Sequence, residues 1–302
     1  MAKPKSPLLS FGARGTIADS LTFQKRGQLT IAREKPIPRD PYSLAQAYQR
    51  WDYQDYAYLW TLETEASKQS YRTRASRYHL TGFSLWMREH LKDLFALAGR
   101  WHLDEEGGAI AYDSSGNAND ATIIGASPAP GVIDGAYSFD GQNDLINCGH
   151  DPTLNLANAF TMEMFLTIID YPPTGWATPL RKGVGDPIQN NYLLALDSTG
   201  HLRFYVGNGA LSISLSFGTL PKDTLYHLTA VFTTTAASVF LDGELVNGPI
   251  ATGWQAITNA NDCLLASIWS HYSKVVIDEF SLRSQALPET LIKRHSERGY
   301  PA

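Results

Sequence analysis

The sequence predicts a mainly β protein, in which a two-sheet antiparallel jelly roll follows an N-terminal β-hairpin and an α-helical anchor region. After residue 100, short apolar alternations recur between turns rich in Gly, Asp and Asn, whereas residues 43–99 show helical spacing. The charge also changes sign: the first 100 residues hold 16 Lys and Arg against 9 Asp and Glu, and the other 202 hold 9 against 21. A basic first part and an acidic second part indicate different partners. We expect an extended arm with a hairpin and a Pro-rich strap at 1–42, a helical assembly region at 43–99, and the jelly roll with a short C-terminal helix at 100–302.

The N-terminal arm contains the hairpin. Residues 20–24 and 28–33 alternate apolar and polar side chains around a turn expected at Lys25, Arg26 and Gly27. A two-stranded hairpin alone is only marginally stable in water, so this one requires another surface. The prolines of the strap that follows exclude a helix and favour an extended chain; they are Pro36, Pro38 and Pro41.

Two helices are expected in the helical region. Ser43 is a suitable N-cap for a helix that starts at Leu44, and a second helix is expected over residues 82–98 with Gly99 as its C-terminal stop. Aromatic side chains occur on several faces of these helices beside arginines, a composition typical of subunit interfaces. A self-contained helical hairpin with a solvated basic face is the alternative. The residues expected in an assembly interface are Tyr48, Trp51, Tyr56, Trp60 and Trp86.

Charge, hydropathy and cysteine content limit the function classes. A basic face attracts phosphate, but no nucleic-acid recognition motif accompanies it and the acidic second part repels phosphate, so nucleic acid is not expected as a partner. No apolar run approaches the roughly 18 residues of a membrane span, and the first residues lack the apolar core of a secretory signal. Cys148 and Cys263 are too few for a disulfide framework, so we expect buried free thiols, with a single bridge between them as the alternative.

The N-terminal third contains an ordered series of motifs. The run GARGTIADSLTFQKRGQLTIAREKPIPRDPYSLAQAYQR leads from a Gly-rich hairpin through the Pro-rich strap into a helix with Ala45-Gln46 and Gln49-Arg50. This order is similar to the N-terminal segment of structural proteins of tailed phages and related viruses. The resemblance implies a virion component that is anchored through this region.

The order of the motifs in the second part is more specific than their number. WHLDEEGGAIAYDSSGNANDATIIG is followed by GAYSFDGQNDLINC, FTMEMFLTI, LYHLTAVFTTTAASVFLDGELV and VVIDEFSLRSQALPETLIKRH. This series resembles the concanavalin A-like, laminin G-type jelly roll over nearly the whole second part. Phe165 stands where that family commonly has Trp, an exchange between aromatic side chains that we expect on a core face.

The resemblance also implies a metal site. In proteins of this kind, the Asp of the DSSGN-type turn and the Asp of the final strand help to hold one structural calcium ion. These positions correspond to Asp113 and Asp278 here, and Asn119 can add a third oxygen. Turn chemistry is the alternative, because Asp and Asn side chains in such turns also cap backbone amides.

An enzymatic function is not expected. Jelly rolls of this type include glucanases, whose retaining chemistry requires two carboxyl groups about 5–5.5 Å apart. Glu163 has no second acid nearby on its strand, and strand alternation places Asp278 and Glu279 on opposite faces, with Phe280 on the face of Asp278. The sequence also lacks HExxH, GxSxG and phosphate-loop motifs.

Glycan binding is the expected use of the jelly roll. Sugar rings present flat C–H faces to aromatic rings and hydroxyl groups to polar side chains. Trp side chains also fill sandwich cores, which is the alternative for each of them. The candidate glycan-binding residues are Trp176, Trp254, Trp269 and Tyr272.

These features together predict a structural virion protein, such as a capsid decoration, spike or tail component at the virion surface. The basic aromatic region docks onto other virion proteins or onto copies of the same chain, and the acidic jelly roll is displayed to bind a cell-surface glycan. The alternative is a free-standing carbohydrate-binding or glycoside-hydrolase-like protein, in which the N-terminal region is an accessory helical hairpin.

Overall fold

The computed structural model describes residues 15–17, 21–26, 29–34, 44–93, 96–268 and 270–298. The chain divides into two compact units, residues 1–54 and 55–302. The second unit therefore starts within the helical region, well before the point at which the sequence changes charge. The Pro-rich strap, the expected N-cap Ser43 and the candidate ligand Trp269 lie outside the described residues.

The first unit contains a small antiparallel sheet. The hairpin is present, and a third short strand extends it. Lys25 and Arg26 do not form the expected turn, because they lie in the second strand opposite Thr30 and Leu29. The strands are β1 (Gly15–Ile17), β2 (Leu21–Arg26) and β3 (Leu29–Glu34).

Four α-helices occur in the described residues. Helices that start at Leu44 and Gly82 match the sequence pattern, whereas the polar helix between them has no apolar stripe that indicates it. Thr64 caps that helix by accepting a hydrogen bond from the Ser67 amide at 3.2 Å. No described helix has both the length and the hydropathy of a membrane span. The helices are α1 (Leu44–Leu62), α2 (Glu65–Ala75), α3 (Gly82–Asp93) and α4 (Glu289–Arg298).

The second predicted helix ends earlier than expected. α3 ends at Asp93, and Ala98 and Gly99 lie in a strand that pairs with a C-terminal strand of the jelly roll. A side chain at Gly99 would place its Cβ 2.2 Å from the Trp101 ring. Gly99 is therefore not a helix C-cap; it allows the Trp101 ring to lie against the strand backbone.

The remaining strands form the predicted two-sheet sandwich. They are β4 (Leu97–Trp101), β5 (Ile110–Ala111), β6 (Ala121–Ile124), β7 (Ser127–Pro130), β8 (Gly135–Ser138), β9 (Leu145–Asn147), β10 (Ala159–Asp170), β11 (Trp176–Lys182), β12 (Tyr192–Asp197), β13 (His201–Gly207), β14 (Ser212–Thr219), β15 (Leu225–Thr233), β16 (Ala236–Leu241), β17 (Glu244–Ala251), β18 (Cys263–Ile268) and β19 (Lys274–Arg283). Sheet I has the order β17-β16-β15-β10-β19-β8-β7, and β4 also pairs with β19. Sheet II has the order β14-β13-β12-β11-β18-β9-β6-β5. The pairings are antiparallel throughout both sheets.

The main core lies between the two sheets. Trp101 stacks on Phe280 of β19 with ring centroids 5.3 Å apart, and its indole N–H donates to the Asn119 carbonyl at 2.9 Å. Phe160 of β10 stacks on Phe232 of β15 at 5.2 Å. Because the polar atom of the buried indole has a partner, this large side chain is buried without an unsatisfied donor.

The two cysteines lie together on the sheet II side of this core. Cys148 and Cys263 are free thiols, both buried, and the Cys148 amide donates to the Cys263 carbonyl at 2.9 Å. Burial raises the pKa of Cys148 well above its ordinary value. Its thiol is therefore neutral at physiological pH and behaves as a small apolar group.

A second, smaller apolar cluster joins α4 and α1 to the outer face of sheet I. Leu291 and Ile292 of α4 pack with Phe240 of β16, and Tyr58 and Leu59 of α1 lie against the same group. The C-terminal helix expected from the sequence therefore covers one end of this sheet.

A buried charge network lies beneath the same helices. The two ring nitrogens of His295 contact two carboxylates: Nδ1 is 3.0 Å from Glu163 Oε1, and Nε2 is 3.2 Å from Asp55 Oδ2. Arg298 donates to both oxygens of Asp55, with one bond of 2.7 Å. Glu163 and Asp55 are only 5% and 4% exposed. One imidazole thus connects strand β10 to helix α1.

The pKa values of these groups are consistent with an imidazolium between two carboxylates. Burial alone would raise the pKa of Glu163, but the positive charge and hydrogen bond of His295 outweigh it and lower that pKa to about 2. The pKa of Asp55 is also lowered, because His295 and Arg298 outweigh its burial. Burial alone would lower the pKa of His295, yet Glu163 and Asp55 raise it. His227, buried near Glu163, has its pKa lowered to about 4 by burial and stays neutral.

The first prediction concerns the stability that this network provides. His295→Gln removes the cation and leaves Glu163 and Asp55 buried, so we expect a loss of about 3 kcal/mol in the free energy of unfolding. The matched control is His150→Gln, because His150 pairs with Asp262 at the surface; the His150 side chain is 66% exposed and that of Asp262 is 38% exposed. We expect the control to change stability by less than about 1 kcal/mol in urea titrations. Equal losses in both variants would contradict the structural role of the buried network.

The second prediction concerns pH. Because the folded pKa of His295 is raised, its stabilisation is complete below the ordinary value of about 6.5 and is lost as pH rises through the folded pKa. The difference in unfolding free energy between the wild type and His295→Gln should therefore be largest near pH 6 and should shrink at alkaline pH. Urea titrations of both proteins from about pH 6 to 9 measure this difference. A difference that grows toward alkaline pH would contradict the assignment of the imidazolium.

Candidate functional site

Strand β19 carries a bulge that sets the geometry of the site. Asp278 pairs with Phe165 and Ser281 pairs with Glu163, so two residues of β19 lie opposite one residue of β10. Glu279 has a φ of 50°, in the left-handed region. The expected alternation is therefore wrong beyond Asp278: Phe280 faces the core between the sheets and does not share a face with Asp278.

A cleft of about 340 Å³ lies beside this bulge. Phe165 is 5% exposed and lines the cleft, so it does not belong to the core between the sheets in which we expected it. Its ring lies 4.8 Å from that of His227. Apolar side chains form most of the lining, with Thr167 and Asp278 as its polar side chains. The lining residues are Pro130, Gly131, Val132, Ala136, Phe165, Thr167, Leu225, Val276 and Asp278.

Asp278 is the main polar feature of the cleft. It is 2% exposed, and its Oδ2 accepts hydrogen bonds from the amides of Val132 at 2.6 Å and Ile133 at 3.3 Å. Its Oδ1 is buried and has no hydrogen-bond partner among the described residues. Burial, together with the negative charges of Glu279 and Asp104, raises the pKa of Asp278 to about 8. A buried polar atom without a partner costs free energy, so this oxygen is suited to bind a ligand.

A second polar cluster adjoins the bulge. His102 Nδ1 lies 2.9 Å from Glu279 Oε2, and Asp104 accepts a hydrogen bond from the Gly135 amide at 3.2 Å. Burial and the charge of Glu279 raise the pKa of Asp104 to about 6. Sequence reasoning missed this cluster because its members are far apart in the chain and because the bulge redirects Glu279. One signal could have indicated this cluster: the HLD sequence at residues 102–104 directly follows β4, the strand that pairs with β19.

The three residues predicted to bind calcium are engaged in different contacts. Asp113 accepts four hydrogen bonds, from the amides of Arg100, Ser115 and Asn119 and from the Ser115 hydroxyl, at 2.7 to 2.9 Å. The side-chain amide of Asn119 donates to the Ala98 carbonyl and to Thr153. Asp278 has a buried oxygen, Oδ1, with no hydrogen-bond partner in the described part of the chain. As placed, this set does not fit a calcium ion, because ligation would require Asp113 to give up amide hydrogen bonds. Calcium at these residues stays a prediction.

The candidate glycan-binding residues do not form one site in the described part of the chain. Trp176 begins β11, and its carbonyl accepts hydrogen bonds from the amides of Ser270 and His271, which precede Tyr272 in the loop between β18 and β19. The Arg203 guanidinium lies 5.5 Å from the Trp176 ring centroid. Trp254 instead packs against the main core, 5.5 Å from the Phe232 ring, as in the alternative interpretation. Trp176 and Tyr272 therefore belong to neighbouring loops, and Trp254 is separate from them.

The residues expected in an assembly interface have two kinds of environment. Tyr56 and Trp86 are buried within the second unit. They pack with Trp60 of α1, Tyr71 of α2 and Phe83 of α3. Tyr48 and Trp51, in the first unit, are half-buried and contact each other edge to face at 5.4 Å. Tyr56 and Trp86 therefore contribute to the fold of the chain itself, and the assembly interface stays a prediction.

The fold and the outer-face cleft define a β-sandwich protein of the jelly-roll class. Residues 139–293 match the family model of the concanavalin A-like lectin/glucanases superfamily, and the chain belongs to this family. No curated protein sequence matches the chain.

Several solved structures have a similar fold. A Trypanosoma rangeli sialidase in complex with sialic acid has 18% identity and a TM-score of 0.53; the match covers 67% of this chain and 32% of the sialidase chain. The binding domain of Paraclostridial Mosquitocidal Protein 1 has 12% identity and a TM-score of 0.55; the match covers 67% of this chain and 52% of that domain. The binding domain of botulinum neurotoxin serotype G has 13% identity and a TM-score of 0.53; the match covers 67% of this chain and 50% of that domain. The chain therefore spans about a third of the sialidase and about half of each toxin domain. These similarities show the fold, which is shared by an enzyme and by binding domains.

Proposed function

We propose that the jelly roll is a carbohydrate-binding domain and that the Asp278 cleft is its sugar site. The observation that supports this most strongly is the buried Oδ1 of Asp278, which has no hydrogen-bond partner among the described residues and belongs to a residue that lines the cleft. A ligand with a hydroxyl group at this position satisfies the oxygen.

The rest of the lining suits a sugar ring. Val132, Leu225 and Val276 provide apolar contacts, and Thr167 adds a hydroxyl group to the carboxyl group of Asp278. A volume of about 340 Å³ is at the lower end of the range typical of small-molecule sites. One monosaccharide unit, with a C–H face on the apolar wall and a hydroxyl group at Asp278, matches this chemistry. The similarity of the fold to a sialidase solved with sialic acid and to toxin binding domains supports the proposal.

The proposed role is binding without hydrolysis. Glu163, the acid considered for catalysis, is buried under α4 and contacts His295 through both of its oxygens, at 3.0 and 3.1 Å. Glu279 contacts His102 at 2.9 Å. These contacts support structural roles for both carboxyl groups, since a glycosidase needs one acid and one base that reach the same glycosidic bond.

We further propose that this domain is displayed by a virion structural protein, with residues 1–99 as the anchor. The resemblance of the N-terminal run to phage structural proteins and the change of charge near residue 100 support this role. Many copies on one particle would give avidity to a weak sugar site. Other virion proteins, or copies of the same chain, are the partners of the anchor.

The third prediction tests the sugar site. Thr167→Tyr fills the cleft without removing a partner of Asp278, so we expect at least a tenfold loss of affinity for any glycan that the full chain binds on an array, about 1.4 kcal/mol. Thr122→Tyr is the matched control, because Thr122 is an exposed strand residue of sheet II, and we expect it to bind like the wild type. Trp176→Ala tests the neighbouring loops in the same assay. Loss of glycan binding in Trp176→Ala, with normal binding in Thr167→Tyr, would contradict the cleft and show that the glycan binds at the loops of Trp176 and Tyr272.

The fourth prediction tests the virion role. Mass spectrometry of purified particles from the source should detect the chain in a fixed ratio to the major capsid protein. Its absence from such particles would contradict the anchor and leave the free-standing carbohydrate-binding protein as the function.

A further inference from the structure

The contact between His102 and Glu279 constrains the protons of the imidazole ring. Nδ1 lies 2.9 Å from Glu279 Oε2, and Nε2 lies 2.9 Å from Ser114 Oγ. Ser114 donates its own hydroxyl proton to the Arg100 carbonyl at 3.2 Å. Because that proton is used, Ser114 Oγ accepts from His102, and Nε2 carries a proton.

A neutral imidazole protonated at Nε2 presents a lone pair at Nδ1. The Glu279 carboxylate presents another lone pair 2.9 Å away. Two acceptors at this distance need a shared cation, which is either a second proton on the ring or a metal ion bound to both atoms. In metal sites, the ring N–H opposite the metal is usually held by an oxygen of the protein. Ser114 holds the His102 N–H in this way.

Asp104 provides the third ligand atom. One atom each from His102, Asp104 and Glu279 lies within 4.8 Å of the other two. The side chains of His102 and Glu279 are 16% and 13% exposed, so an ion can reach them. In a tetrahedral site with bonds of about 2.1 Å, ligand atoms lie about 3.4 Å apart, so His102 and Glu279 need to separate by only about 0.5 Å to hold an ion.

The two carboxyl groups of the cluster, Asp104 and Glu279, bring negative charge to the bulge of β19 beside the imidazole of His102. A divalent cation would neutralise this charge.

We propose that His102, Asp104 and Glu279 bind a divalent transition-metal ion, with Zn²⁺ as the expected species. An imidazole nitrogen beside carboxylate oxygens favours such an ion over Ca²⁺, which prefers oxygen ligands. Three protein ligands leave one position for water or for an external ligand. The ion ties the segment after β4 to the bulge of β19. This site shares none of its ligands with the predicted calcium set, and the inference does not rest on the proposed sugar site.

The fifth prediction is Zn²⁺ binding by the full-length chain. Isothermal titration of protein stripped with EDTA should give one Zn²⁺ ion per chain, and His102→Gln and Asp104→Asn should each weaken binding at least tenfold. His150→Gln is the matched control, because His150 forms an exposed pair with Asp262 that could bind Zn²⁺ adventitiously. We expect this control to retain the site.

Three outcomes would overturn the inference. Zn²⁺ binding that is absent, or that is unchanged in His102→Gln and Asp104→Asn, would leave an imidazolium–carboxylate pair only. Ca²⁺ binding that Asp113→Asn removes and Asp104→Asn retains would place the cation at the predicted calcium set. Side-chain ¹H–¹⁵N spectra of the wild-type protein provide a test that needs no variant. Zn²⁺ should shift the Nδ1 resonance of His102, and an unshifted resonance at saturation would also overturn the inference.

Discussion

The bulge of strand β19 at Glu279 is the constraint on which the arrangement of the site depends. Ile277 and Phe280 both face the core between the sheets, and Phe280 provides the surface on which Trp101 stacks. Regular alternation cannot place both residues there, because they are three positions apart. A non-glycine residue in the left-handed region costs about 1 kcal/mol, which the pairing of β19 with β10 and β4 offsets. Regular alternation places Asp278 beside Val276 at the cleft, and the inserted residue directs Glu279 to His102.

Two carboxyl groups on the outer face of sheet I illustrate how the surroundings determine their roles. Glu163 lies near His295 and Arg283, and its pKa falls to about 2 although burial alone would raise it. Asp278 lies near Glu279 and Asp104, and its pKa rises to about 8. The first group is part of an ion network that connects α1, α4 and β10. Asp278 has a buried oxygen, Oδ1, without a hydrogen-bond partner among the described residues, and we therefore propose that the ligand binds at that end of the sheet.

The sequence predicted the architecture well, because turn residues, strand alternation and motif order are local signals that agree with one another. It predicted the starts of α1 and α3 for the same reason. The end of α3 was wrong because Gly99 suits both a helix stop and a close approach to the Trp101 ring, and only tertiary pairing distinguishes them.

The site was less predictable, because bulges and long-range contacts determine it. Strand alternation assigned Phe280 to the face of Asp278, and the bulge reversed that assignment. His102 and Glu279 meet across 177 positions of the chain, and no local pattern indicates such a pair. Aromatic loop residues were expected as sugar ligands, whereas the sugar site that we propose has a carboxyl group inside a mostly apolar cleft.

The central claim is that this jelly roll binds its ligand in the Asp278 cleft. The most direct test is a crystal structure of the chain soaked with the glycan that binds best on an array. The account predicts that one sugar unit lies between Val132 and Thr167, with a hydroxyl group within hydrogen-bond distance of Asp278 Oδ1. A sugar bound at Trp176 and Tyr272, with the cleft filled only by solvent, would contradict it.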